Sequence, residues 1–432
     1  MPRSTTVTGG RAATTGVIRG RFALSVGRPD TEPPSGFRWV GLSEVARLES
    51  GHTPSRQAPQ YWGGDVPWIG IRDATENHGR ILASTHENVT ELGIANSSAR
   101  ILPAGTVCLS RTASVGYVVM MATPMATSQD FVNWVCGPEL VPRYLMYVLM
   151  AEQASIRRFA HGTTHQTMYY PEAKALHICL PDKRRQGAIA EILGALDDKI
   201  AANRRTTDLL TAELSATWRQ YFADEEHDVW LSVPIGQLAT VVGGTTPRTN
   251  DASFWDGDIA WATPKDLSRL SSVALLDTGR HITRRGLEQI SSGLLPVGTV
   301  LLSSRAPVGY LAIAETPVAV NQGFIALIPG ERVSSLFLWQ WLVHHLEDVK
   351  ARANGTTFLE VSKRSFRPIP VAIPAGNGIR SWTEKAAPAY RLIVSLERET
   401  GLLGQLRDTL LPKLLVGAMG VSTGEDLDKV EV

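Results

Sequence analysis

The sequence predicts a mixed α/β (α+β) fold present twice, with the copies separated by two long helices that pair antiparallel, coiled-coil fashion, in a pseudo-two-fold molecule. Three observations lead there. The chain repeats itself at a constant offset of 193 residues, counted from Gly51 to Gly244. A helical seam fills the stretch from Gln186 to Phe222, and a second closes the chain between Leu392 and Leu410.

The repeat carries the most information. Gly51, Thr53 and Pro54 recur as Gly244, Thr246 and Pro247; Trp62, Gly64, Asp65, Trp68 and Asp73 recur as Trp255, Gly257, Asp258, Trp261 and Asp266. Further on, Val115-Gly116-Tyr117 returns as Val308-Gly309-Tyr310, Gln129 and Phe131 as Gln322 and Phe324, and Pro181 as Pro374. The register never slips, so one fold is present twice, over residues 37–182 and 230–375. Alternating and β-branched residues predict strands at 105–109, 117–121 and 177–180, and again at 298–302, 310–314 and 370–373. Pro142 opens a helical run that ends near Gly162, and residues 334–353 repeat it.

Between and after the copies come the helices, over 183–229 and 376–420. Ile189, Leu193, Leu196, Ile200, Leu210, Leu214 and Tyr221 fall at alternating steps of three and four, with Asn203 and Thr207 on the same seam. The second seam is Leu392, Leu396, Glu399, Leu403, Leu406 and Leu410. Each helix follows a globular block, as a spacer would.

Totals set the class. The chain has 432 residues, 43% hydrophobic and 20% charged, with a net charge of +1, which describes a globular protein without a global basic field. Cys108, Cys136 and Cys179 form no CxxC pair and read as reduced core residues of a cytoplasmic protein. No apolar run reaches the roughly 18 residues of a membrane span. Residues 1–36, rich in Gly, Thr, Arg and Pro, read as a disordered tail rather than a transit peptide, and 421–432 as a disordered acidic one.

Catalytic signatures are missing. There is no Asn/Asp-Pro-Pro-aromatic tetrad, no Walker loop and no zinc spacing; His344-His345 with Glu347 reads as a solvated helix face. Thr112-Ala113-Ser114-Val115-Gly116 lacks the first glycine of a nucleophile elbow and reads as a turn. Asp182 followed by Asp197-Asp198-Lys199 has the spacing of a metal-dependent nuclease. The later residues, however, lie along a helix that carries them about 20 Å away. No catalytic residue and no metal ligand is assigned.

What remains looks like recognition. In the first copy, predicted loops hold His52, Thr53, Ser55, Arg56, Arg72, Arg111, Thr112, Gln129, Thr163, Thr164, His165 and Gln166. In the second they hold Thr245, Thr246, Arg248, Thr249, Lys265, Arg305, Asn321, Gln322, Thr356, Thr357 and Lys363. Arg and Lys suit guanine edges and phosphates, Gln and Asn suit adenine edges, and Thr and Ser suit either. One scaffold with two different polar sets reads two different half-sites.

From Trp39 to Gly420 the chain resembles the specificity subunit of type I restriction-modification systems. The resemblance rests on the Gly-x-Thr-Pro opening of both copies, on Tyr61-Trp62-Gly63-Gly64-Asp65-Val66-Pro67-Trp68 with its partner from Phe254 to Trp261, and on Ser303-Ser304-Arg305-Ala306-Pro307-Val308-Gly309-Tyr310. The helical strings Gln186-Gly187-Ala188-Ile189-Ala190-Glu191 and Leu406-Arg407-Asp408-Thr409-Leu410 add to it. It implies two target recognition domains reading a split asymmetric double-stranded DNA site, with the helices docking two modification (methyltransferase) subunits and restriction (ATP-dependent translocase/nuclease) subunits joining. S-adenosylmethionine, ATP and Mg would then sit in those partners, and this chain would be non-catalytic, cytoplasmic and without a membrane role. Two departures stand out: the long N-terminal tail, and a second helix whose start Gly376, Trp382 and Pro388 place near Ala389.

A helix of about 25 ordered residues is roughly 37 Å long, close to the 34 to 36 Å of one DNA turn, so half-sites about one turn apart are expected. Two other readings compete. One is a fused or stand-alone restriction enzyme, for which cleavage by the isolated chain would speak; the other is a repeat scaffold binding protein or sugar, whose binding salt would not weaken.

Overall fold

Buried, β-branched runs form the central sheets of both repeats in the computed structural model, which describes residues 16–160, 166–222, 230–354, 359–374 and 376–420. Two units emerge: residues up to Asp198 with those from Leu403 onward, and Lys199–Leu402.

In the first unit a five-stranded sheet runs in the order Ala46–Ser50, Phe131–Cys136, Val107–Ser110, Val118–Met121, Arg80–Leu82. A three-stranded sheet has Trp62–Ile69 between Ala126–Thr127 and Glu87–Val89. In the second unit the five-stranded order is Ala239–Val242, Phe324–Pro329, Val300–Ser304, Val308–Ala314, Ala274–Leu275, and Trp255–Ala262 lies between Val318–Val320 and His281–Ile282. Strand order and register follow the sequence offset: Val66 pairs with Val89 as Ile259 pairs with Ile282. The helices Pro142–Ala151 and Ser335–His344, apolar on most sides, are buried in the two cores.

The third sheet differs. Among the described residues the second unit pairs Leu231–Pro234 with Pro370–Ile373 alone, whereas in the first Phe37–Gly41 and Leu176–Pro181 are joined by Leu24–Val26 and Ile18–Arg19. The disorder expected for residues 16–36 is therefore corrected. The buried Glu152 carboxylate accepts the amides of Arg21 (2.8 Å), Phe22 (2.6 Å), Ala23 (2.7 Å) and Leu24 (3.2 Å), and Ala23 and Leu24 enter the core. Residues 1–15, 223–229 and 421–432 lie outside the described residues.

The central helix spans Lys183–Phe222, 40 residues or about 60 Å at 1.5 Å each, longer than the 25-residue estimate. The distal helix spans Gly378–Leu415 and begins eleven residues before the expected start at Ala389. Pro388 sits inside it; burial of Ile379, Trp382 and Ala386 outweighs the one helical hydrogen bond that proline removes. In each unit the two helices run antiparallel. Asp197 meets Arg407 at 2.8 Å in the first, and Asn203 donates to Glu399 at 2.7 Å in the second. Ile189 and Leu193 pack with Leu411, Leu414 and Leu415 in the first core, and Leu214, Trp218 and Phe222 with Ile379, Trp382 and Ile393 in the second. Ile200 is buried, while Leu196, Leu210, Leu396, Leu403 and Leu410 are half-buried. Three expected seam residues face out: Tyr221, Leu392 (45% exposed) and Leu406 (46%).

Among the described residues no helix is long and apolar enough to cross a membrane.

Candidate nucleic-acid interface

Two tryptophans hold the first polar loop of each domain. Trp62 and Trp68 lie six residues apart on one strand, across a bulge between Trp62 and Val66, and meet edge to face, centroids 5.1 Å apart. Their indole nitrogens donate to the carbonyls of Ser55 (3.2 Å) and His52 (3.1 Å). In the second domain Trp255 and Trp261, 5.0 Å apart, donate to Arg248 (3.1 Å) and Thr245 (3.4 Å). The strand then turns at a carboxylate: Asp73 accepts the amide of Gly70 at 2.9 Å, and Asp266 that of Thr263 at 2.8 Å.

Glycine begins each loop because nothing larger fits. A Cβ on Gly51 would lie 2.0 Å from the Ser128 carbonyl oxygen, and one on Gly244 1.6 Å from that of Val320. That close approach lets Thr53 Oγ1 donate to Gln129 Oε1 at 2.5 Å, and Thr246 Oγ1 to Gln322 Oε1 at 2.6 Å. Among the described residues the amide nitrogen of each glutamine makes no hydrogen bond, which leaves it to donate to a ligand.

Around this shared pair the domains diverge. In the first, Arg111 donates to the Gln129 carbonyl (3.1 Å) with its guanidinium 5.2 Å from the Tyr170 ring, and the Thr112 hydroxyl lies 3.2 Å from that of Thr167. In the second, Asn321 accepts the Gly323 amide (2.8 Å), Arg305 lies 3.6 Å from Glu360, Thr245 donates to the Gln289 carbonyl (2.6 Å), and Lys363 Nζ borders Gly243.

Other expected residues stand apart. Arg72 pairs with Glu76 at 2.9 Å. Arg56 is held by both oxygens of Glu87 (2.5 and 2.8 Å) and lies 3.7 Å from the Trp62 ring centroid; that hydrogen bond keeps the Glu87 carboxyl below its usual range. Thr249, Lys265 and Gln166 make no side-chain hydrogen bond among the described residues. Thr163, Thr164, His165, Thr356 and Thr357 lie outside those residues. Glu87, Tyr170 and the tryptophan clamps were not anticipated as parts of the site; the repeat of Trp62 and Trp68 was the signal for the clamps, while Tyr170 had none.

The aspartates with nuclease-like spacing have structural work. Asp197 accepts from Tyr147 (2.7 Å) and Arg407, Asp198 pairs with Arg143 (2.8 Å), and Asp182 caps the Arg185 amide (2.8 Å). His344 and His345 are not a solvated face: they are half-buried and stack on Trp218 and Trp341, each 4.6 Å away. Among the described residues no group of His, Cys, Asp and Glu is placed to hold a metal. Burial pushes the Cys136 and Cys179 thiols up to about 12, far from reactive thiolates.

Residues 34–212 and 228–377 match the family described as "Type I restriction modification DNA specificity domain". The chain is 23% identical to the "Type I restriction enzyme MjaIX specificity subunit" of Methanocaldococcus jannaschii, over 88% of this chain and 93% of that one. It is 24% identical to the "Type I restriction enzyme HindI specificity subunit" of Haemophilus influenzae, over 64% and 77%. In fold it resembles the type I restriction-modification S subunit from M. genitalium, with a TM-score of 0.59 and 17% identity over 90% of this chain and 98% of that one.

Proposed function

The chain belongs to the type I restriction modification DNA specificity family, and on that premise we propose that it reads a bipartite DNA site, one half with each domain. The observation that carries this is the duplicated Thr-Gln pair on a clamped loop, Thr53 with Gln129 and Thr246 with Gln322, inside different sets of neighbours. A glutamine amide beside arginine and threonine offers donors and acceptors to base edges. Two versions of one site read two unlike sequences.

In this reading the chain is non-catalytic. Its paired helices dock two methyltransferase subunits, which bring S-adenosylmethionine; ATP and Mg belong to restriction subunits. The complex works on DNA in the cytoplasm.

A genome-wide methylation map of the native host, with and without this gene, tests the proposal. A split asymmetric motif should vanish on deletion. An unchanged map from cells that express the chain and a methyltransferase bound to it would sink it.

A further inference from the structure

The two tryptophan clamps carry opposite charge at matched positions. Glu76, Glu87 and Glu91 of the first domain correspond, at the offset of 193, to Arg269, Arg280 and Arg284 of the second. Ser55 and Leu92 likewise correspond to Arg248 and Arg285. The strand registers and the helix caps confirm the equivalence, since Thr90 and Thr283 each accept an amide three residues on, from Gly93 and Gly286, at 3.1 Å.

The cation over the clamp is kept but comes from elsewhere. Arg56, on the first domain's loop, covers Trp62 and is neutralised by Glu87. In the second domain position 249 is Thr, and the guanidinium over the ring is Arg280, from the place Glu87 holds, 3.5 Å from the Trp255 centroid. Arg280, Arg284 and Arg285 are exposed and make no ion pair among the described residues. Arg248 and Arg285 are near enough to Asp251 to help hold its carboxyl low, after the hydrogen bonds from Ser253.

We infer that the Trp255 clamp of the second domain is a phosphate-binding surface, with Arg280, Arg284 and Arg285 gripping the DNA backbone beside the Thr246-Gln322 pair, and that the matching first-domain face makes no such grip. This rests on the DNA-reading function proposed above. A guanidinium stacked on an indole has lost little of its capacity to donate in plane and is oriented before the phosphate arrives. Stacked Arg280 with its exposed neighbours Arg284 and Arg285 adds a sequence-independent anchor to one half of the site. In the first domain a backbone phosphate would meet Glu87 and Glu91 and a guanidinium already occupied.

The test is binding of the full chain, with the subunits that co-purify with it, to a random-sequence DNA duplex over a salt series. Each lost phosphate contact lowers the slope of log K against log salt by about 0.9. Replacing Arg280, Arg284 and Arg285 together by Ala should flatten the slope by about 2 to 3 and weaken all sequences alike; Glu87→Gln, which frees Arg56, should steepen it by about 1. An unchanged slope in the triple variant, with wild-type binding still salt-dependent, overturns this inference and leaves the DNA-reading function standing. Loss of a co-purifying subunit at unchanged slope also overturns it and makes the patch a protein-docking face. Absence of salt-dependent binding by the wild type overturns both.

Discussion

The two recognition domains share strand order, register, tryptophan clamp, aspartate turn and Thr-Gln pair, yet they are secured differently. The first domain extends its third sheet with two short N-terminal strands, tied down by Glu152; at the matching position the second has His345, stacked on Trp341, and among the described residues its third sheet has two strands. The first has a neutralised clamp and the second a basic one. The lesson is that the frame is held by groups whose replacement meets a steric or hydrogen-bonding barrier, while exposed positions on the frame change sign freely. Duplicate readers of one fold can therefore differ in grip as well as in the bases they read.

The sharpest way to break this comparison is at Glu152. Four amides, two of them buried, point at one carboxylate, and a hydrogen bond to a charged acceptor contributes about 1.5 to 3 kcal/mol. Glu152→Ala should cost the first domain about 3 kcal/mol, the loss being capped because the strands can detach and hydrate their amides. His345→Ala should cost the second about 1 kcal/mol, the scale of a lost aromatic stack. Urea unfolding, with limited proteolysis of residues 16–26 as the local readout, separates the two. Equal losses would mean that the extension is not what distinguishes the domains.

The next effect is symmetric by design. Gly51→Ala and Gly244→Ala each drive a methyl into a backbone carbonyl at 2.0 and 1.6 Å, so each loop must shift, at about 1 to 3 kcal/mol. The shift parts Thr53 from Gln129 or Thr246 from Gln322. Each variant should impair one half of the methylated motif and spare the other, read from methylation maps. Damage to both halves by either variant would count against two independent readers.

Much of this was legible in the chain. Trp62, Trp68, Asp73 and Gln129 recur without a slip because each is held by partners within its own copy, so identity survives duplication. Residues 16–36 were illegible: strands of two and three residues show no alternation, and what orders them is a carboxylate about 130 positions away. The helix seam failed where the helix changes client. Steps of three and four carry Ile189 and Leu193 into the first core, but the second core takes Trp218 and Phe222, leaving Tyr221 outside. A strict heptad drifts about 20° per repeat on a straight helix, enough to misplace Leu392 and Leu406 as well. The charge inversion at Glu87 and Arg280 was visible at the offset, but only identical residues announce a repeat.

The smallest expected effect sharpens the comparison through pH. His78 accepts the Val118 amide at Nδ1 (3.0 Å), so the folded ring is held neutral there; burial, then Arg157 and Arg407, push its pKa down to about 4, from about 6.5 when free. A lowered histidine pKa means that the unfolded chain takes up the proton first as pH falls. Its contribution is complete above about pH 6.5 and declines as pH drops toward 4, below which both states are protonated and nothing further is lost. The matching residue in the second domain is Ser271, which does not titrate. The protection factor of the Val118 amide, its exchange rate taken relative to the intrinsic rate at each pH, should therefore fall between pH 6.5 and 4, while that of Leu311, on the matching second-domain strand, should not. His78→Asn, whose Oδ1 can take the same amide, should flatten the first-domain response; if acid sensitivity persists in that variant, the asymmetry arises from another group and His78 is only a packing residue.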